Sequence, residues 1–270
     1  SVDENSANGT AVGMPVVATD VDAGSVLIYS ITAIDPVSDP VAFAIGGTSG
    51  QITIANSAVM NFEDFPVFTL MVQVSDGSLT DTATVTVNLN DVNDAPVVTG
   101  ATFSVDENSP APTTVVGEVT ATDEDLPAQT LTWSITGGNT GDAFAIDNNG
   151  QITVANATPV NFETNPIFTL TVQVSDSNLT GTATVTINLT DVNEAPVVTG
   201  TTFLLAENSL AETEVGTPVV ATDPENAALT WSITGGNDLG AFAINATSGQ
   251  ITVADSAPLD LETNPTFSLT

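Results

Sequence analysis

The chain contains no lysine, arginine or histidine against 33 aspartates and glutamates, which leaves a formal charge of −33. No side-chain cation is available for an ion pair, so counter-charge must come from solution. A surface of this kind is repelled by nucleic acid phosphates and by anionic lipid, which sets both aside as partners. Cysteine is also absent, so disulfides and thiolate metal sites are excluded and the redox compartment leaves no trace. No apolar run approaches the roughly 18 residues of a membrane span, so no direct membrane insertion is expected. The opening "SVDENSANGT" has neither the basic start nor the apolar core of a signal peptide, which places any secretion signal outside this chain. Aromatic residues make up only 5%, too few for a sugar-stacking platform, and Trp133 and Trp231 in "TWSIT" are expected in the core.

What is present is a chain that folds. Hydrophobic residues reach 41%, many of them Val, Ile, Leu and Phe alternating with Thr and Ser, unlike a disordered acidic chain. Self-comparison finds three copies of one unit with a period of about one hundred residues. "SVDENS" at 1–6 returns at 104–109 and as "LLAENS" at 204–209, and "GQIT" recurs at 50, 150 and 249. "NFE" at 61 and 161 becomes "DLE" at 260, and "VQVSD" occurs at 72 and 172. The expected units are 1–96, with an incomplete opening strand, 97–196, and 197–270, which lacks most of its last two strands. That layout is expected of a segment from a longer array, with completion by another subunit as the alternative.

Segments such as "LTWSIT", "GQITVA", "FTLTVQVSD" and "ATVTINL" alternate with period two and are rich in β-branched residues, which predicts strands. Turn formers separate them, including Asn149-Gly150 between two strands. About seven strands per unit predict an all-β chain of tandem immunoglobulin-like Greek-key sandwiches, end to end.

The acids gather at strand ends. Strand parity puts Glu107, Glu163 and the following linker at one pole of a unit, and Asp123, Asp125 and Asp176 at the other. At the first junction Glu4, Glu63, Asp91, Asp94, Asp123, Asp125 and Asp176 are expected to converge without a basic residue. Two such charges about 4 Å apart repel by about 1 kcal/mol even in water. Several hard oxygens per site, with an Asn amide and backbone carbonyls added, suit calcium rather than zinc or copper. The linkers "DVNDAP" and "DVNEAP" then supply ligands midway between two units.

In combination, "DEN", "DVD" and "DED", "NFE" and "DLE", "VSD" and "DVNDAP" resemble the motifs of cadherin-like repeats, of the kind arrayed in large bacterial surface proteins. The resemblance covers the whole chain. It implies that Glu4, Glu63, Asp91, Asp94 and the Val92 carbonyl hold two calcium ions. Asn93, Asp123, Asp125, Asp176 and the Ala95 carbonyl would hold a third, with Asp125 shared. The second junction would use Glu107, Glu163, Asp191, the Val192 carbonyl, Asn193, Glu194, Asp223 and Glu225. Departures from the family pattern are Asn61 and Asn161 in place of Asp, a linker one residue shorter, and "DPE" in the third unit, so fewer or weaker ions are expected at the second junction. The implied role is a calcium-stiffened spacer or adhesive stalk at the cell surface, in contact with neighbouring repeats and not an enzyme. Its rival is a filament subunit packing laterally against other copies.

Overall fold

The computed structural model describes residues 1–22, 24–36 and 41–270. Its regular elements are strands, apart from two three-residue 3-10 turns at Ser57–Val59 and Thr140–Asp142. The second repeat shows the architecture in full. One sheet runs in the order Thr132–Gly137, Ile167–Ser175, Thr180–Thr190 and Ala101–Asp106, with the last pair parallel and the others antiparallel. The facing sheet joins Phe144–Ile146, Gln151–Val154 and Val115–Glu118.

Period-two patterning does its expected work here. Along Ile167–Ser175, Phe168, Leu170, Val172 and Val174 are buried while Ile167, Thr169 and Thr171 face outward. Phe168, Leu170 and Val172 share a core with Ile152, Val154, Val185 and Ile187 from the other strands, and Phe144 stands edge-on to Phe168 at 5.0 Å. The same edge-on pair recurs as Phe43 with Phe68 and Phe242 with Phe267. Trp133 packs against the core of the second repeat and Tyr29 is buried in the first. The glycine of each "GQIT" has a steric reason: at Gly150, with φ +81°, a Cβ would sit 2.1 Å from the Val119 carbonyl oxygen.

The first repeat builds the same four-stranded sheet from Ile28–Asp35, Val67–Ser75, Thr80–Asn90 and Val2–Asp3. The third forms the Phe242–Ile244 and Ile251–Val253 hairpin, an isolated bridge from Glu214 to Thr252, and the short Ala221–Thr222 strand paired to Val197–Val198. Residues 201–206, which correspond to a strand in the second repeat, form no ladder. Their partner there is Thr180–Thr190, and residues 197–270 contain no counterpart of that segment.

Two pairings position the acids. The opening strand runs parallel to the last one, Val2 beside Leu89 and Asp3 beside Asn90, which delivers Glu4 to the point where the linker departs. Across the linker, Val97–Val98 pairs with Ala121–Thr122, so the chain reaches the second repeat directly beside Asp123. Because the cores are separate, Leu170→Ala should lower the stability of the second repeat by about 2–5 kcal/mol and leave the first unchanged. Denaturant unfolding followed by Trp133 fluorescence in a Trp231→Phe background, with Tyr29 reporting on the first repeat, checks this.

Candidate metal centre

The "DEN" element has a backbone explanation. Asn5, Asn108 and Asn208 lie in the left-handed region with φ of 54–55°, which Asn tolerates better than most residues. Their N–H groups reach the carbonyls of Met60, Val160 and Leu259. In the first two repeats this turn points the preceding glutamate inward. Glu4, 2% exposed, accepts the Val92 N–H at 2.7 Å and the Phe62 N–H at 2.6 Å. Glu107, also 2% exposed, repeats this with Val192 and Phe162 at 2.9 and 2.8 Å. Each glutamate therefore fastens the start of a linker to the loop bearing the next acid.

Around these anchors the carboxylates gather. Oxygens of Glu4, Glu63 and Asp91 lie within 4.8 Å of one another, as do those of Asp123, Asp125 and Asp176. Asp94 joins the two groups: its N–H donates to Asp125 at 3.1 Å, and Asn5 donates to its carboxylate at 3.0 Å. At the second junction Glu107, Glu163 and Glu194 form one such set, and Glu163, Asp191 and Glu225 another.

Not every expected residue is drawn in. Asp223 belongs to neither set; its Oδ1 accepts the Ala227 N–H at 3.0 Å within the tight turn that Pro224 shapes. Asn193 makes its side-chain bond to the Glu194 carbonyl at 3.0 Å, whereas Asn93 also reaches Asp176 at 2.8 Å. Val92 engages the site through its N–H, and Ala95 has an exposed side chain. Unforeseen participants are amides and one acid. Asn61 donates to Glu124 at 3.0 Å across the first junction. Asn161 donates to Glu163 at 3.1 Å and Asn108 to Glu194. A further acidic set, Glu207, Asp260 and Glu262, lies exposed on the last repeat. In the sequence, "LLAENS" and "DLE" carry its residues.

Both oxygens of Glu63, and one each of Asp123, Glu194 and Glu225, are buried among protein atoms without a hydrogen-bond partner. A buried carboxylate oxygen left alone is costly, and in a chain without basic side chains an external cation is the natural partner. Hard oxygens in groups of three, without nitrogen or sulfur, fit a calcium-type ion. The electrostatics agree. Desolvation first, and then neighbouring acids, push Glu63, Asp94 and Asp123 above the usual carboxylate range. Desolvation acts on Asp176 in the same direction, but donation from Asn93 and from the Leu179 and Asn178 N–H groups outweighs it and holds Asp176 low. A hydrogen bond shared with Glu225, then desolvation, pushes Glu194 up to about 7 while Glu225 goes down.

The profile of the Cadherin domain matches residues 101–190. The second repeat is a cadherin domain. Among curated proteins, protocadherin Fat 4 of Mus musculus is 35% identical over 243 residues, covering 84% of this chain but 5% of its own length. Cadherin-4 of Homo sapiens is 32% identical over 295 residues, covering 97% of this chain and 31% of its own length. The chain thus spans a small part of the curated relatives it matches. Among solved structures, mouse Cadherin-23 EC22-24 superposes with a TM-score of 0.61 at 24% identity, over 94% of this chain and 85% of that one, a likeness of fold. Together with the internal repetition, these matches carry a likeness to cadherin repeats along the whole chain, and cadherin domains are adhesion modules, not enzymes.

A pH dependence follows for the calcium-stripped chain. With Glu194 raised from 4.5 to about 7, the folded chain binds more protons than the unfolded one between those values, so stability falls as pH rises through that window. The depressed aspartates act lower, beneath their ordinary 3.8. Calorimetry should give a higher melting temperature at about pH 5.5 than at about pH 7.5, with the difference reduced in Glu194→Gln.

Proposed function

We propose that the chain is part of the extracellular region of a large surface protein, and that calcium at its two junctions stiffens the repeats into a spacer or adhesive stalk. The observation that carries this reading is the set of buried, partnerless carboxylate oxygens at the poles where repeats meet, in a chain that holds no Lys, Arg or His. In this reading Glu4, Glu63, Asp91, Asp94 and the Val92 carbonyl hold ions on the first repeat's side. Asp123, Asp125, Asp176, Asn93 and the Ala95 carbonyl serve the second repeat's side. At the second junction Glu107, Glu163, Asp191, Glu194, Glu225 and the Val192 carbonyl form the weaker site, with Asp223 and Asn193 at its margin. The units of the stalk are 1–96, 97–196 and 197–270.

Taken together, the ligand sets of a junction draw on one repeat, the linker and the next repeat. Filling a junction with ions therefore ties together segments that otherwise repel, and the free energy of binding adds to the stability of the closed arrangement. Extracellular calcium modules bind at roughly 0.1–1 mM, so the junctions fill outside a cell and empty in a calcium-poor cytosol. The matched curated relatives named above are animal proteins. A bacterial surface array as the parent rests on the resemblance of motifs alone.

Lateral packing into a filament is the second reading. It is favoured by apolar side chains that face outward on successive repeats, among them Val97, Val115, Val197 and Val220. Ordered side-by-side contacts in electron micrographs would support it over single rods.

Equilibrium dialysis with radiocalcium tests the principal reading. Roughly two or three ions should bind at the first junction with millimolar or tighter affinity, and Glu63→Ala should remove at least one. Absence of binding at 5 mM calcium would overturn it.

A further inference from the structure

We infer that Gln129 and Asn178 are positioning residues that latch the first linker to the second repeat through Asn93, and that this latch needs no cation. Asn93 uses its full hydrogen-bonding capacity. Its Nδ2 donates to the Asp94 carbonyl at 2.7 Å and to Asp176 Oδ2 at 2.8 Å. Its Oδ1 accepts Gln129 Nε2 at 3.1 Å and Asn178 Nδ2 at 2.8 Å. Two donors and two acceptor positions are all that an amide offers, and three of these four bonds go to the second repeat.

Gln129 closes a ring. The same Nε2 donates to Asp125 Oδ2 at 2.7 Å, while Asp125 Oδ1 accepts the Asp94 N–H at 3.1 Å. Asn93, Gln129, Asp125 and Asp94 are thereby joined without a positive charge. Donation from an amide to an ionised carboxylate is stronger than a neutral pair, so these amides supply part of the compensation that basic side chains supply elsewhere. The latch also competes with the ion chemistry proposed above. Both lone pairs of Asn93 Oδ1 are engaged, so an ion that takes this oxygen must displace Gln129 or Asn178.

The second linker lacks this device. Where the second repeat reads "DEDLPAQTLTW", the third reads "DPENAALTW", two residues shorter and without a glutamine. The Glu194 N–H keeps the bond to Glu225 that corresponds to Asp94 with Asp125, but Asn193 is tied only to its own neighbour.

Hydrogen exchange on the full chain in EGTA tests the latch, read in peptic peptides over 91–98 and 191–198. The first linker should exchange on the order of tenfold more slowly than the second, and Gln129→Leu should remove most of that difference, since it deletes two bonds of ordinary strength. Asn178→Ala should act in the same direction. Gln129→Glu, which keeps the shape but faces Asp125 with a like charge, should release the linker in EGTA. Unchanged protection of the strand Ile167–Ser175 in each variant shows that the repeat remains folded. Equal exchange of the two linkers in the native chain, or no acceleration in Gln129→Leu, would overturn the latch. Calcium separates this from the stalk proposal: if millimolar calcium fails to slow the second linker, the ion reading fails while the latch stands.

Discussion

Like charge forced together at the repeat junctions is the constraint on which the rest of this structure depends. The first two sandwiches each bury a glutamate at the end of the opening strand, and that glutamate holds two backbone N–H groups from segments that must meet there. The linker and the neighbouring repeat then bring further carboxylates to the same place. Repulsion at about 4 Å, about 1 kcal/mol per pair in water and more where water is excluded, accumulates as these acids converge. With no basic side chain, the chain has three responses: protonation, donation by backbone and amide N–H groups, and an external cation. All three leave a mark here, in the raised Glu194, in the amides around Asn93, and in the partnerless oxygens of Glu63.

The two junctions use these responses in different proportions. At the first, Asp176 caps the turn after its strand through the Asn178 and Leu179 N–H groups at 2.6 Å, and it presents its other oxygen to Asn93. The second repeat thereby contributes a rigid half-site. At the second, Asp223 is spent on its own turn, and Glu194, with its carboxyl pushed up by Glu225, stands with Glu225 where the first junction has Asp94 and Asp125. A glutamate is one methylene longer than an aspartate, so the carboxyls of Glu194 and Glu225 reach each other.

The sandwich architecture was legible because period-two alternation and three internal copies leave little freedom. Phe168 and Leu170 could only face inward if Thr169 and Thr171 faced out. The poles at which acids meet followed from strand parity, and the motifs of the cadherin resemblance picked out Glu4, Glu63 and Asp123. The amides were not legible in this way. Gln129 sits in a loop with no periodicity, and its reach to Asn93 depends on how the linker lies against the second repeat. Glu124 was hidden between two more conspicuous aspartates, and Asn61 read as a departure from a motif when it is a donor across the junction. The fate of Asp223 depended on a turn two residues shorter than its counterpart. Such a change resets local hydrogen bonding without altering the surrounding strand pattern.

Small-angle X-ray scattering on the chain in 5 mM calcium and then in excess EGTA tests the central claim, that external cations at the acidic junctions set the geometry of the array. Three sandwiches end to end extend about 120 Å, from strand lengths and linkers. The account predicts a profile with that maximum dimension in calcium and a broadened, less rigid one when calcium is withdrawn, with the loss greater at the second junction. An identical profile in both conditions would contradict it, and would mean that the carboxylates are merely solvated and that amides and strand pairing alone hold the repeats in line.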